Sequence, residues 1–243
     1  MQTNYLIISS KKHSNQALGL RIYLILTALF ITSLVASNLI FKKFFYWDFF
    51  GFYTFEISVG ILPYPITFLI TDSISEIYGK KRANQVVTTG IFASLFSLGI
   101  VLLADAVPAI ENSPIGDELF HEVFGSTGIA VGASMTAYLL AQYVDISIYH
   151  FWKKLTNGKY LWLRNNFSTF LSQFIDTFSV IFLLSIFGEL AWRSFFDLLI
   201  SGFLFKVLIA AIDTPFLYLI VFWMRKRFKL APNEELKLAN AKE

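Results

Sequence analysis

The chain has 243 residues, of which 56% are hydrophobic and only 15% are charged, and its mean hydropathy is +0.59. This composition is typical of polytopic membrane proteins and excludes an ordinary soluble globular domain. Because the sequence contains no cysteine, it offers no disulfide, no thiol nucleophile and no thiolate metal site.

Apolar segments long enough to cross a bilayer recur along the whole chain. A span needs about 20 mainly apolar residues, and six segments qualify: 20–41, 52–71, 83–104, 124–150, 167–188 and 194–224. Lys11 and Lys12 precede the first segment as in a secretory signal, but its apolar run is longer than a typical signal and predicts a span. The sequence therefore predicts an all-α membrane protein with six transmembrane helices at 20–224, a segment 1–19 before them and a tail 225–243 after them.

The basic residues predict the orientation of these spans. Most of them lie in the amino-terminal flank, in the loops after the second and fourth spans, and in the tail. The remaining loops carry only Lys42, Lys43 and Arg193, and Lys206 lies inside the last span. By the positive-inside rule, both termini are predicted to be cytoplasmic.

The second span and the loop after the third each allow two interpretations. Pro63 and Pro65 interrupt the second span, either as a packing kink or as a break that lines a binding cavity. Asp72 and Glu76 follow four residues apart on one helix face, before Gly79 as the predicted helix end. The long external loop at 105–122 is acidic, and it is either a solvated connector or a gating lid.

Polar side chains also recur inside the later spans. Gln142 and Asp145 in the fourth span repeat the spacing of Gln173 and Asp176 in the fifth, and each pair occupies one helix face. The last span adds Lys206 and Asp213. Such groups either neutralise one another as structural ion pairs or surround a polar solute. Interhelical polar pairs stabilise a membrane protein only slightly, which does not offset the cost of burying several charges, so the solute is favoured.

Several catalytic classes lack their sequence signature. The chain has no GxxxxGK[ST] loop, so it has no phosphate cradle of its own and would need a partner to use ATP. It has three histidines and no HExxH, which makes a zinc hydrolase improbable, and no GxSxG elbow. No cofactor is predicted.

Four motifs in order resemble the bacterial queuosine precursor transporter family. They are YPITFLITDSISEIYGKKRA, AQYVDISIYHFWKKLT, WLRNNFSTFLSQFIDT and KVLIAAIDTPFLYL, and the resemblance covers about residues 30–222. It implies a six-span importer in the bacterial inner membrane, related in fold to the substrate-binding subunits of energy-coupling-factor transporters. The implied substrates are 7-deazaguanine bases: the 7-cyano form, the 7-aminomethyl form or queuine.

The polar residues and this resemblance together give a hypothesis for the site. A deazaguanine edge presents adjacent N–H donors to a carboxylate and a carbonyl oxygen to an amide, and its flat ring can stack on an aromatic side chain. We expect Asp176 and Gln173 to read this edge. The supporting residues are Asn165 or Asn166, Gln142, Asp145, Asp213 and Lys206, with Asp72 and Glu76 closing the cytoplasmic end and Arg164 pairing with a carboxylate.

Two other functions remain open from the sequence. The chain could be the substrate-binding subunit for another small vitamin or purine, working with a separate ATPase module. It could also be a membrane enzyme or proton conductor that uses the buried acids. The expected partners are a small-molecule substrate and the lipid bilayer, and no nucleic acid.

Overall fold

The structure is a computed structural model that describes residues 2–125, 128–188, 190–231 and 234–238, with side chains from residue 15 onward except at 126–131 and 133. It is mostly helical and contains one two-stranded hairpin. The helices are α1 (Gln2–Ile40), α2 (Tyr64–Ile77), α3 (Lys80–Asp105), α4 (Asp117–Phe120), α5 (Gly128–Leu155), α6 (Leu161–Ile186) and α7 (Phe195–Phe228), and the strands are β1 (Phe44–Phe49) and β2 (Tyr53–Ser58).

The long helices run back and forth between two ends of one bundle. At one end, which we call the basic end, α2 and α5 finish, α6 begins and α7 finishes, and Tyr78 Oη donates to the carbonyl of Gly19 on α1 at 2.8 Å. The amide of Leu236 in the tail donates to Ile77 O at 2.7 Å at this end. The opposite end carries the β-hairpin, and we call it the hairpin end.

The surface and interior of the bundle have the polarity of a membrane protein. In the described ranges, four helical stretches are long and apolar enough to cross a bilayer, namely Asn15–Ile40, Lys80–Asp105, Leu161–Ile186 and Trp192–Phe228. Large apolar side chains point outward from them, including Phe92 and Phe96 on α3 and Phe222 on α7, whereas Thr67 and Thr71 are fully buried. An apolar exterior around a polar interior suits lipid, so the protein is a multi-pass membrane protein.

Helix α2 is the central helix of the bundle, and it is shorter than the sequence predicts. The prediction of one span over 52–71 is wrong, because residues 53–58 form strand β2 and the helix starts only at Tyr64. Pro63 is the N-cap of this helix and Pro65 lies in its first turn, where a missing amide donor costs no helical hydrogen bond. The two prolines therefore start α2 and do not interrupt it.

The end of α2 agrees with the sequence. Gly79 has a φ of +85°, which glycine adopts without the steric penalty of other residues. Its amide donates to Ile74 O at 3.2 Å, and α3 begins at the next residue. Gly79 thus ends one helix and starts the next at the basic end, as predicted.

The hairpin is held against the bundle by aromatic packing. Phe49 pairs with Tyr53, so the turn consists of residues 50–52, and Phe50 and Gly51 in this turn both have positive φ. Trp47 and Phe55 lie 5.4 and 5.8 Å from the ring of Phe205 on α7, and ring pairs at this separation add to the apolar burial. The hairpin therefore fixes the position of the middle of α7.

Candidate functional site

A polar cleft opens between α2, α6 and α7. Its aromatic wall consists of Tyr64, Phe68 and Phe205. The cleft contains about 440 Å³ of space outside the protein atoms, its open mouth included. The polar groups on its wall are Asp72, Asn165, Thr169, Gln173, Lys206 and Asp213.

Helix α6 supplies a continuous polar face to this cleft. Asn165, Thr169 and Gln173 follow at intervals of four residues, so they lie on one face, while Phe174 and Phe178 on the other side are exposed. Each of the three polar side chains is 4% exposed. Asn165 Oδ1, Thr169 Oγ1 and Gln173 Oε1 have no hydrogen-bond partner among the residues that the structure describes. Since buried polar atoms are almost always paired, three unpaired oxygens on a cleft wall point to a polar ligand.

A second, more apolar chamber lies on the other side of Lys206. Leu34, Tyr138, Val180 and Leu184 are among the residues that line it, and it contains about 1180 Å³ of space, including open solvent. Tyr64, Ile61 and Lys206 line both spaces, whereas Asp176 lines only this second chamber.

Lys206, Asp176 and Tyr64 form a partition between the cleft and the chamber. Lys206 Nζ lies 2.5 Å from Asp176 Oδ2 and 4.7 Å from the centre of the Tyr64 ring. Within the described part of the chain, neither Asp176 Oδ1 nor Tyr64 Oη has a partner in good hydrogen-bond geometry. The partition is therefore held by one ion pair and one cation–π contact and keeps unused hydrogen-bonding groups.

A second group of charges lies at the basic end. Glu76, whose side chain is 1% exposed, accepts from Arg164 Nη2 at 2.7 Å, contacts Arg225, and lies 3.6 Å from Lys153 Nζ. Tyr149 Oη donates to the same carboxylate at 3.0 Å. We call these side chains the Glu76 cluster. Arg164 pairs with a carboxylate, as expected.

The Glu76 cluster also ties down the loop between α5 and α6. Arg164 Nη1 donates to the carbonyls of Gly158 at 2.8 Å and Lys159 at 3.2 Å. Neither Glu76 nor Arg164 lines the cleft. Their position fits closure of this end.

The remaining predicted site residues lie behind the cleft. Asp145 is fully buried and accepts from Ser172 Oγ at 2.9 Å, and Gln142 Nε2 donates to Tyr138 Oη at 2.7 Å. Asn166 Nδ2 donates to Trp162 O at 2.7 Å. Of the eleven residues named from the sequence, the structure gathers five on the cleft wall: Asp72, Asn165, Gln173, Lys206 and Asp213.

The aromatic wall is the part of the site that the sequence reasoning missed. Tyr64, Phe68 and Asp72 are spaced four residues apart, so a helix that begins at Tyr64 places all three on one face. That signal was hidden by the expectation that the span already begins before Pro63.

Two comparisons relate this chain to known transporters. The family model described as putative vitamin uptake transporter matches residues 58–220, which include every residue on the cleft wall. The probable queuosine precursor transporter of Bacillus subtilis (strain 168) is 28% identical over 181 residues, covering 73% of this chain and 74% of that relative. No solved structure matches the chain.

Proposed function

The chain belongs to the putative vitamin uptake transporter family, and we propose that it imports 7-deazaguanine precursors of queuosine across the bacterial inner membrane, for use in tRNA modification. It is a transporter and not an enzyme. The proposal for the substrate draws on the relative named as a probable queuosine precursor transporter. The observation that carries it is the set of unpaired acceptors beside carboxylates in an aromatic-walled cleft.

The cleft offers the groups that the edge of a deazaguanine needs. This edge carries a ring N–H and an amino group side by side, which a carboxylate of Asp72 or Asp213 can accept, and a carbonyl oxygen that the amide of Asn165 or Gln173 can bind. The planar ring would lie against Phe68 or Phe205, where stacking adds to apolar burial. In this arrangement Gln173 binds substrate and Asp176 holds the partition with Lys206.

The direction of the bundle in the membrane follows from its basic end. We propose that this end faces the cytoplasm, that both termini lie there, and that the chain crosses the membrane six times. Helix α2 is about 21 Å long, shorter than a membrane core of about 30 Å, so it would cross together with the hairpin segment. The likeness to the substrate-binding subunits of energy-coupling-factor transporters stays a prediction.

The proposed route for the substrate follows from the two spaces. Substrate would enter the chamber from the hairpin end, cross the partition into the cleft and leave past the Glu76 cluster.

Uptake in cells tests the proposed substrate. The protein is expressed in a bacterium that cannot make queuosine precursors and lacks its own importer, each 7-deazaguanine base is supplied, and queuosine in tRNA is measured. We expect at least one base to restore the modification. Failure with every base, when the protein is present in the membrane, would contradict the proposal. Uptake by the purified protein alone in liposomes would argue against a need for a separate ATPase module.

Two neighbouring asparagines provide a matched pair of variants for the same assay. Asn165 lines the cleft, whereas Asn166 does not. Asn166 donates to Trp162 O on its own helix and accepts from Thr214 Oγ1 at 3.4 Å, a hydroxyl that Asn165 Nδ2 also contacts at 3.5 Å. A hydrogen bond to a ligand contributes about 1 kcal/mol, so Asn165→Ala should lower the apparent affinity for the base by about fivefold to tenfold. Asn166→Ala should leave it within about twofold. Equal effects of both substitutions would remove Asn165 from the site.

A further inference from the structure

Two buried carboxyl groups are neighbours inside the bundle. Asp72 on α2 is 3% exposed and Asp145 on α5 is fully buried, and each carboxyl group is close enough to act on the other electrostatically and as a hydrogen-bonding neighbour. Among the residues that the structure describes, Asp72 Oδ1 and Asp145 Oδ2 have no hydrogen-bond partner. The other oxygen of Asp145 accepts from Ser172 Oγ at 2.9 Å.

The basic group that faces this pair is already bound to another carboxylate. Within the described residues, no Lys or Arg nitrogen lies within 4.0 Å of either carboxyl group. Arg164 on α6 is the basic group that faces the pair, and its guanidinium is bound to Glu76 at 2.7 Å. The other titratable groups that face the pair are Tyr138 and Tyr149 on α5, Asp213 on α7 and Glu76 one turn along α2.

One proton shared by the two carboxyl groups would remove the repulsion between them. If both were ionised, two like charges would face each other in the bundle interior, and both carboxylates would accept without a donor between them. One proton on the pair turns this contact into a hydrogen bond from a carboxylic acid to a carboxylate.

We propose that Asp72 and Asp145 form a proton-binding site and that one proton enters with each substrate molecule, an inference that rests on the proposed function. Asp72 lines the cleft and Asp145 does not, so the two carboxyl groups have different roles. When the N–H groups of a base bind Asp72, the O–H bond on Asp72 breaks and one forms on Asp145. The pair carries one negative charge before and after this transfer. On the cytoplasmic side the base leaves and the O–H bond on Asp145 breaks, so its proton passes to water and both carboxylates are ionised. The repulsion between them favours uptake of the next proton from the outside, which returns the pair to its starting state.

Transport in liposomes with the purified full chain tests the coupling. The probe is 7-cyano-7-deazaguanine, because the 7-aminomethyl form carries a titratable amine that would obscure proton movement. The membrane potential is clamped at zero and the outside is about one pH unit more acidic than the lumen. For one proton per substrate, the wild type should accumulate the base to about tenfold above the external concentration. A pH-sensitive dye in the lumen should report acidification when the base is added.

Exchange of labelled for unlabelled base separates this inference from the proposed function. The wild type should exchange base without any gradient. Exchange without lumen acidification, or accumulation driven by a sodium gradient alone, would overturn the proton site while leaving the substrate assignment intact. Absence of exchange would overturn the substrate assignment and the coupling together.

Single substitutions locate the proton on the pair. Asp145→Asn removes the acid behind the cleft. We expect this variant to exchange base at a measurable rate without acidifying the lumen. The base should then reach only the external concentration in the lumen, where the wild type accumulates it about tenfold. Asp197→Asn, at an exposed acid in the first turn of α7, is the control and should behave as the wild type. Acidification by Asp145→Asn equal to that of the wild type would overturn the assignment. The wild-type dye measurement decides the coupling even if a variant does not fold.

Discussion

Replacement of Glu76 by glutamine removes the carboxylate that three basic side chains share at the basic end of the bundle. Arg164 and Glu76 are each 1% exposed in their side chains, so this ion pair is shielded from water. Lys153 contacts the same carboxylate and its side chain is 8% exposed. Glu76→Gln keeps the shape of the side chain and leaves these cations without their shared anion.

The expected loss of stability follows from the burial of the partners. Removal of one partner of a buried ion pair destabilises a protein by about 3–5 kcal/mol, because the other charge stays buried without compensation. Glu235→Gln is the matched control, since Glu235 also lies 3.6 Å from Lys153 Nζ but is 45% exposed. An ion pair with an exposed partner contributes only about 0–1 kcal/mol.

Equilibrium unfolding in mixed micelles of increasing SDS content measures both variants. We expect Glu76→Gln to lower the free energy of unfolding by about 3–5 kcal/mol and Glu235→Gln by less than about 1 kcal/mol. Tryptophan fluorescence and protease resistance should report the same transition. Equal, small changes for the two variants would refute the view that the Glu76 cluster is what holds the basic end together.

Two further predictions concern the partition and the hairpin end. Asp176→Asn should reduce uptake by at least about tenfold, because Lys206 then keeps its charge beside Tyr64 without its anion. Adding Lys206→Met to the same chain should recover part of this loss. If the losses of the two single variants simply add in the uptake assay, the two side chains are not coupled. Gly60→Ala should destabilise the fold by about 1–3 kcal/mol in the SDS titration, since a Cβ at this position would lie 2.6 Å from Ser37 O. Gly99→Ala is the control and should leave the stability unchanged, because the space around Gly99 is open.

Hydropathy predicted most of the helices but not the segment before α2. Residues 44–58 are rich in aromatic and apolar side chains, and a window that averages hydropathy does not distinguish such a strand from part of a spanning helix. The information that does distinguish them is local. Phe50 and Gly51 adopt the positive φ angles of a tight turn, and Phe55 and Ile57 alternate with exposed neighbours along β2.

The sequence predicted which faces are polar and could not predict which acids are paired. The three-residue spacing of Gln173 and Asp176 predicted that both lie on one polar face of α6. By contrast, the pairing of Asp176 with Lys206 joins residues on different helices, and it depends on how α6 and α7 are rotated about their axes. Periodicity within one helix contains no information about the rotation of its neighbour.

The same limit explains why similar acids have different environments. Asp72 and Glu76 lie one turn apart on α2 and look equivalent in the sequence. Glu76 lies among Arg164, Lys153 and Arg225, because α5, α6 and α7 all place a basic residue at this end, whereas one turn deeper Asp72 meets Asp145. One turn of a helix is about 5.4 Å, and over that distance the surroundings change from three cations to a second acid. Closure of the basic end and the chemistry inside the cleft therefore use neighbouring residues of one helix, so movement of α2 would affect both.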